Sequence, residues 1–225
     1  MAEKQPLTRD QMGAILAQRI GKGWIVNLGI GIPILASNFF TEEQDITLTS
    51  ENGVIGYGGL AADGQEDPDL VNAGVQFTTL HPGGTIVHHA DSFALIRSGR
   101  VDVTCLGAYE VALDGSFANW KTTSDGRGDM GGIGGAMDLA ACAQRIYIAM
   151  EHTTRDGQPR LVEKCALPVT APTGVNLVVT ELGVVSVQDG CFTLEEHAPG
   201  YTFEEIAAVT GAPLQASKDL RPVSV

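Results

Sequence analysis

The residue with the clearest chemical potential is Glu51, in the run Ser50-Glu51-Asn52-Gly53. The preceding residues, 45–49 (DITLT), are β-branched and apolar enough to predict a buried strand. The SENG cluster then turns the chain and leaves one carboxylate at the strand's carboxyl end, where ligands of open α/β sheets collect. Gly53, Gly56, Gly58 and Gly59 follow, with room for a ligand or another backbone to approach. Taken alone, the tetrapeptide also describes a surface turn with a solvated glutamate, and only the rest of the chain decides between the two. No serine triad, cysteine pair or metal-ligand cluster accompanies it, so any chemistry here is that of a carboxylate.

The totals narrow the ligand. With 225 residues, 44% of them apolar, the chain can bury one sizeable core, and residues 1–225 are expected to form a single domain. A formal net charge of −13 argues against nucleic acid as a partner, because phosphate neutralisation needs clustered Lys and Arg. An anionic ligand would have to be held by backbone amides, by helix N-termini, or by cations borrowed from a partner. Cys105, Cys142, Cys165 and Cys191 form no CxxC pair, which predicts reduced thiols and no zinc site. No signal region and no membrane-length apolar run are evident, so the expectation is a cytoplasmic protein with no membrane partner.

Several elements must position Glu51. Thr8 and Gln11 have capping-box spacing ahead of a helix carrying Met12, Ile15, Leu16 and Ile20. Residues 24–28 read as a strand running into Gly29-Ile30-Gly31-Ile32-Pro33, and Pro33 suits the first turn of a helix through Phe39. Strand, glycine turn, helix and the strand before Glu51 make a βαβ unit, hence a parallel sheet. The GxG lacks a third glycine in register, which leaves a helix N-terminus with free amides or a purely structural turn. Residues 59–69 read as a polar loop, 85–88 as a strand, and 92–98 as a short helix capped by Asp91. Residues 101–106 and 145–150 read as buried strands, and residues 160–168 and 177–180 as further strand. Hairpins are predicted about Asp114-Gly115 and Asp189-Gly190. A glycine-rich segment at 126–135 reads as low complexity or as a loop passing close to a reacting group. Thr202 and Glu205 cap a last helix through Val209.

Six stretches then coincide in order: NLGIGIP at 27–33, SENG at 50–53, DLVNAG at 69–74, SFALIRSG at 92–99, FANW at 117–120 and GGAMDLA at 134–140. Together they resemble the β subunit of the two-subunit family I CoA-transferases that act on 3-oxoacids, over roughly residues 7–211. The resemblance implies an α/β fold, a mainly parallel sheet flanked by helices with β-hairpin additions, working beside a homologous α subunit in a heterodimer or α2β2 heterotetramer. It places the catalytic glutamate on Glu51 and the oxyanion-hole amide on Gly135. Asn119 and Gly31 match positions lining the CoA channel, and Gly29, Asn52, Asn72 and Gly134 are expected to bind CoA or substrate. No tightly bound cofactor or metal is implied, since coenzyme A is both substrate and covalent intermediate, as a glutamyl-CoA thioester.

Two departures stand out. Val75 occupies a position where the family often has Lys after NAG, and residues 121–133 (KTTSDGRGDMGGI) replace the PGKMVKGM of many members. His88-His89 reads as a strand-end pair that packs or meets solvent. The HHADSF run is nevertheless similar to the 3-oxoadipate-using branch, where a histidine could donate to a distal carboxylate. LVNAG and VVTELGV are closer to acetoacetate enzymes. An acyl-CoA hydrolase using the same glutamate, and a non-catalytic ligand-binding module, are the competing readings.

Overall fold

The structure, a computed structural model, describes residues 3–122 and 132–225. Five short strands form a parallel centre: β1 (Ile25–Leu28), β2 (Thr47–Thr49), β5 (Val103–Leu106), β8 (Ile146–Ala149) and β10 (Val175–Thr180). They lie side by side in the order β10-β8-β5-β1-β2. Antiparallel hairpins extend both edges. Beyond β2 come β3 (Val54–Leu60) and β4 (Thr78–Ile86), and beyond β10 come β11 (Gly183–Gln188), β12 (Cys191–His197) and a parallel final strand, β13 (Leu214–Pro222). A small second sheet joins β6 (Glu110–Ala112), β7 (Phe117–Ala118) and β9 (Leu161–Val162). Both hairpins foreseen at Asp-Gly turns form. At the β11–β12 turn Asp189 and Gly190 both adopt the left-handed conformation, at φ 53° and 72°.

Buried-on-both-faces strands read as continuous apolar runs because each face has its own cover. On one face Val26, Leu28, Leu48, Val103, Cys105 and Val179 pack beneath helix α1 (Arg9–Gln18) and the turn at Pro33–Asn38. On the other, Leu106, Ile146, Ile148 and Val178 meet Ile96 of α2 (His89–Arg97), Leu139 of α3 (Ala136–Cys142) and Ile206 of α4 (Phe203–Ala208). The capping boxes at Thr8/Gln11 and Thr202/Glu205 form as their spacing predicts, each satisfying helix N–H groups that would otherwise lack acceptors. Buried Glu196 ties the edge together, receiving Arg19 and Arg221 at 2.6 Å each. Among the described residues no helix is long and apolar enough to cross a membrane.

Four expectations need correction. The segment after Pro33 is a six-residue 3-10 helix, not an α-helix; its last carbonyls are taken up by i→i+3 bonds such as Phe39 N–H to Ala36 O. Helix α2 is capped by His88 rather than Asp91, the His88 Nδ1 accepting from Ala90 N–H at 3.2 Å. Residues 54–60 and 78–86 form a hairpin, whereas the expectation was a loop over 59–69 and a strand only at 85–88. Residues 160–168 contribute only the two-residue β9, and β13 was not foreseen. The glycine-rich segment falls largely outside the described residues, from 126 to 131.

His152 lies just beyond β8, fully buried between the hydroxyls of Thr180 (3.0 Å) and Thr210 (2.9 Å), and burial pushes its pKa down to about 4. Its folded pKa lies below the ordinary 6.5, so its contribution is complete above that value. As pH falls, the unfolded chain binds a proton that the folded chain refuses, and stability drops until about pH 4. Between pH 7.5 and 5 the loss from this group should be about 2 kcal/mol. Urea unfolding of wild type and His152→Gln at both pH values checks this: the variant should lose distinctly less stability on acidification, and equal losses would contradict the assignment.

Candidate active site

β1 pairs with β2 on one side and β5 on the other, so the connections leave it in opposite directions. The carboxyl ends flanking such a switch point form a crevice, because the outgoing loops diverge. A cavity of about 810 Å³ occupies it here. Its lining follows the strand ends: Leu28 to Ile32 after β1, Glu51 after β2, Leu106 to Tyr109 after β5, and Ala149 to Glu151 at β8. Gly132 to Ala136, leading into α3, complete the wall. Six of the lining residues are glycines (Gly29, Gly31, Gly107, Gly132, Gly134 and Gly135), so much of the surface is bare backbone. Such a surface can approach an anion or carbonyl closely without side chains intervening.

The turn bearing Glu51 is clamped on several sides. Ser50 N–H donates to Val54 O, and Gly53 N–H donates back to Ser50 O. The Ser92 hydroxyl of α2 donates to Ser50 O at 2.7 Å, and the Ser50 hydroxyl accepts from Ala73 N–H at 2.9 Å. Gly53 sits at φ 109°, and a Cβ there would collide with Val87 O, so neither the conformation nor the space admits a side chain. Asn52 points away from the cavity, is exposed, and donates to Val71 O at 2.8 Å.

The Glu51 side chain is half-buried, and its orientation comes from the neighbouring strand. Asn27, fully buried on β1, donates from Nδ2 to Glu51 Oε2 (3.3 Å) and to Thr49 O (3.2 Å). Its own carbonyl oxygen accepts from the Thr104 hydroxyl of β5 at 3.3 Å. The amide is thereby held by three parallel strands, and it positions one oxygen of a carboxylate that borders the cavity. Across the gap stands Gly135. A Cβ built on Gly135 would lie 3.3 Å from Glu51 Cγ and 2.9 Å from Phe93 Cζ. A side chain there would have to displace the tip of the Phe93 ring and crowd Glu51, so the close approach favours glycine and sets the Gly135 Cα beside the Glu51 side chain. No described residue accepts a hydrogen bond from the Gly135 N–H. Helices α2 and α3 hold this approach through Arg97 Nε to Asp138 Oδ1 at 2.8 Å, with the guanidinium over the Phe93 ring.

Glu51, Gly29, Gly31, Asn119, Gly134 and Gly135 all border the one cavity, although 106 residues of sequence separate Gly29 from Gly135. Asn119 is fixed by Thr170, whose hydroxyl donates to its carbonyl oxygen at 2.7 Å. Asn72, His88 and His89 do not border it. Buried Asn72 closes the turn 72–76 by accepting from Gly74 and Gln76 N–H groups. His88 and His89 are exposed at the start of α2, with ring centroids 4.6 Å apart. Val75 is 82% exposed at φ 60°, on the same turn as Ala73, which does line the cavity.

Sequence reading missed Asn27, Arg9, Arg160 and Tyr57. Asn27 carried a signal, a polar residue inside an otherwise apolar strand; the others carried none. Tyr57 lies under the site, its phenol pushed up by burial and then by the Glu51 charge, so it stays protonated. Burial raises the thiol of Cys105 to about 12 and that of Cys165 to about 11, which removes both as nucleophiles at neutral pH. Among the described residues no group of three His, Cys, Asp or Glu side chains is placed to hold a metal.

The coenzyme A transferase family model matches residues 9–208. The chain is 39% identical over 208 residues to the B subunit of the 3-oxoadipate CoA-transferase of Acinetobacter baylyi, covering 92% of this chain and 95% of that protein. It is 40% identical over 224 residues to human mitochondrial succinyl-CoA:3-ketoacid coenzyme A transferase 2, spanning 99% of this chain but 43% of that longer one. Glutaconate coenzyme A-transferase from Acidaminococcus fermentans superposes with a TM-score of 0.71 at 19% identity, covering 99% of this chain and 91% of that one, a likeness of fold.

The buried amide generates a prediction. Asn27→Ala strips Glu51, Thr49 O and the Thr104 hydroxyl of one partner each in a dry interior, at a cost of about 1–3 kcal/mol. Chemical denaturation should show that loss, whereas Thr104→Val, which removes only a peripheral member, should lose clearly less. A neutral Asn27→Ala variant would mean that the network contributes nothing.

Proposed function

The chain belongs to the coenzyme A transferase family, and from that premise we propose that it is the β subunit of a 3-oxoacid CoA-transferase. In this reading it moves CoA between an acyl-CoA and a 3-oxoacid through a thioester on Glu51. The observation that carries the reading is the facing pair: a carboxylate oriented by Asn27 at a strand end, with the Gly135 backbone against it across a cavity walled by glycine.

The chemistry follows from that pair. The Glu51 carboxylate attacks the thioester carbonyl; the carbon–sulfur bond breaks, leaving an acyl–glutamyl anhydride and CoA thiolate. The thiolate attacks the glutamyl carbonyl, forming a carbon–sulfur bond and expelling the first acid as its carboxylate. The incoming acid attacks the glutamyl-CoA thioester, and the same steps run backwards. Each addition places negative charge on a carbonyl oxygen. An N–H such as that of Gly135 would stabilise it by about 3 kcal/mol, because it is already oriented when the charge appears. Asn27 holds one Glu51 oxygen, which limits the carboxylate's rotation at the cavity wall.

The bacterial relatives named as B subunits, together with a net charge of −13, support a separate α subunit that contributes cations for the CoA phosphates. Substrate is 3-oxoadipate or acetoacetate, with succinyl-CoA or acetyl-CoA as donor. The names of those bacterial relatives favour 3-oxoadipate.

Incubating the α/β heteromer with acyl-CoA and no acceptor acid should leave CoA attached to Glu51, detected by peptide mass and discharged by adding a carboxylic acid. Glu51→Gln should form no adduct. Glu51→Asp, which retracts the charge by about 1 Å, should lose about 10²-fold in turnover. Acid-independent release of CoA would identify a hydrolase instead, and an adduct on any other residue would overturn the assignment.

A further inference from the structure

Among the described residues two arginines line the Glu51 cavity, Arg9 and Arg160, and they differ in one respect. Arg9 is 70% exposed and already paired, its Nη2 lying 3.2 Å from Glu151 Oε1. Arg160 is half-buried, and among the described residues no carboxylate lies within ion-pair distance of its guanidinium and no acceptor takes its side-chain N–H groups. The Arg160 charge acts on half-buried Glu181, which also accepts the His152 N–H at 2.7 Å, but Arg160 and Glu181 do not come within ion-pair distance. The Arg160 backbone is fixed from both sides, its N–H donating to His152 O (3.0 Å) and its carbonyl accepting from Val111 N–H (2.9 Å). A planar cation with five donors therefore stands on a rigid base at the cavity wall, in direct ion pair with no carboxylate among the described residues. That arrangement suits a carboxylate or phosphate, which can take two parallel N–H bonds.

We propose that Arg160 binds the non-reacting anionic group of a substrate in the Glu51 cavity and so determines which acid or CoA ester is accepted. The proposal rests on the transferase reading above. The group bound must be the non-reacting one, because a guanidinium on the attacking carboxylate would draw off the electron density that the attack requires. The second carboxylate of a dicarboxylic acid and a phosphate of CoA share this chemistry. His88 and His89 do not reach this role from their exposed position outside the cavity lining.

The test uses the α/β heteromer as wild type, Arg160→Gln and Arg160→Lys, with two internal ratios. One compares kcat/KM for a dicarboxylic acceptor with that for a monocarboxylic acceptor of equal length. The other compares an acyl-CoA with the same acyl-pantetheine, which lacks the nucleotide phosphates. Ratios cancel any loss of correctly folded enzyme. Arg160→Gln should lower one ratio by about 10- to 100-fold, mainly through KM, and Arg160→Lys should restore part of it. A fall in the first ratio identifies the carboxylate as the ligand, and a fall in the second identifies the phosphate. Both ratios within about twofold of wild type would overturn the proposal. A wild-type heteromer without acceptor-dependent turnover would instead sink the transferase reading. Arg160 is then judged by calorimetric affinity for CoA and for the dicarboxylate, where unchanged binding in Arg160→Gln counts against it.

Discussion

The buried amide of Asn27 is the interaction on which the site depends. Its two N–H bonds reach Thr49 O and Glu51 Oε2, and its oxygen is taken by Thr104, so three adjacent strands and the Glu51 carboxylate share one polar group. An amide in a dry interior is costly unless its hydrogen-bonding groups are used, and here the NH2 and the carbonyl are both engaged. The register of β1 against β2 and β5 is thereby coupled to the aim of Glu51. A slip of one residue would turn Asn27 to the opposite face and strand the carboxylate.

The second constraint is closeness. Gly135 must come within contact of Glu51, and Phe93 fills the space behind it, so α2 and α3 have to dock before the site exists. Glycine-rich walls let backbone amides substitute for basic side chains. This is how a strongly acidic chain can offer a surface to anions, and it explains why so few cations line the cavity. Arg9 and Arg160 are the described exceptions. Among the described residues Arg160 makes no ion pair, unlike Arg9 at the same cavity, which is paired with Glu151.

Rigidity is distributed accordingly. The parallel centre is buried on both faces, while the edges are built from hairpins with exposed side chains, as along β4. The Glu51 turn sits where these regimes meet, anchored to the core through Asn27 and to the surface layer through Ser92 and Ala73.

Local patterns were legible where periodicity and short-range chemistry decide structure. The capping boxes at Thr8 and Thr202, the Asp-Gly hairpins, the apolar parallel strands and the placement of Glu51 at a strand end follow from spacings of a few residues. The β3–β4 hairpin and β13 escaped because glycines and alternating charges at a sheet edge carry no apolar signature; neighbouring strands supply their order. Asp91 and His88 are both acceptable caps, and the docking of α2 onto Ser50 through Ser92 chose between them. By itself, then, the sequence determined the parallel core strands, the capped helices at either end and the nucleophile candidate. Only the tertiary structure brought Asn27, Gly135 and Arg160 to the same site and left His88 and His89 outside it. The reason is physical: hydrogen bonds and van der Waals contacts between residues about a hundred positions apart depend on how strands are ordered in the sheet, and no local pattern encodes that order.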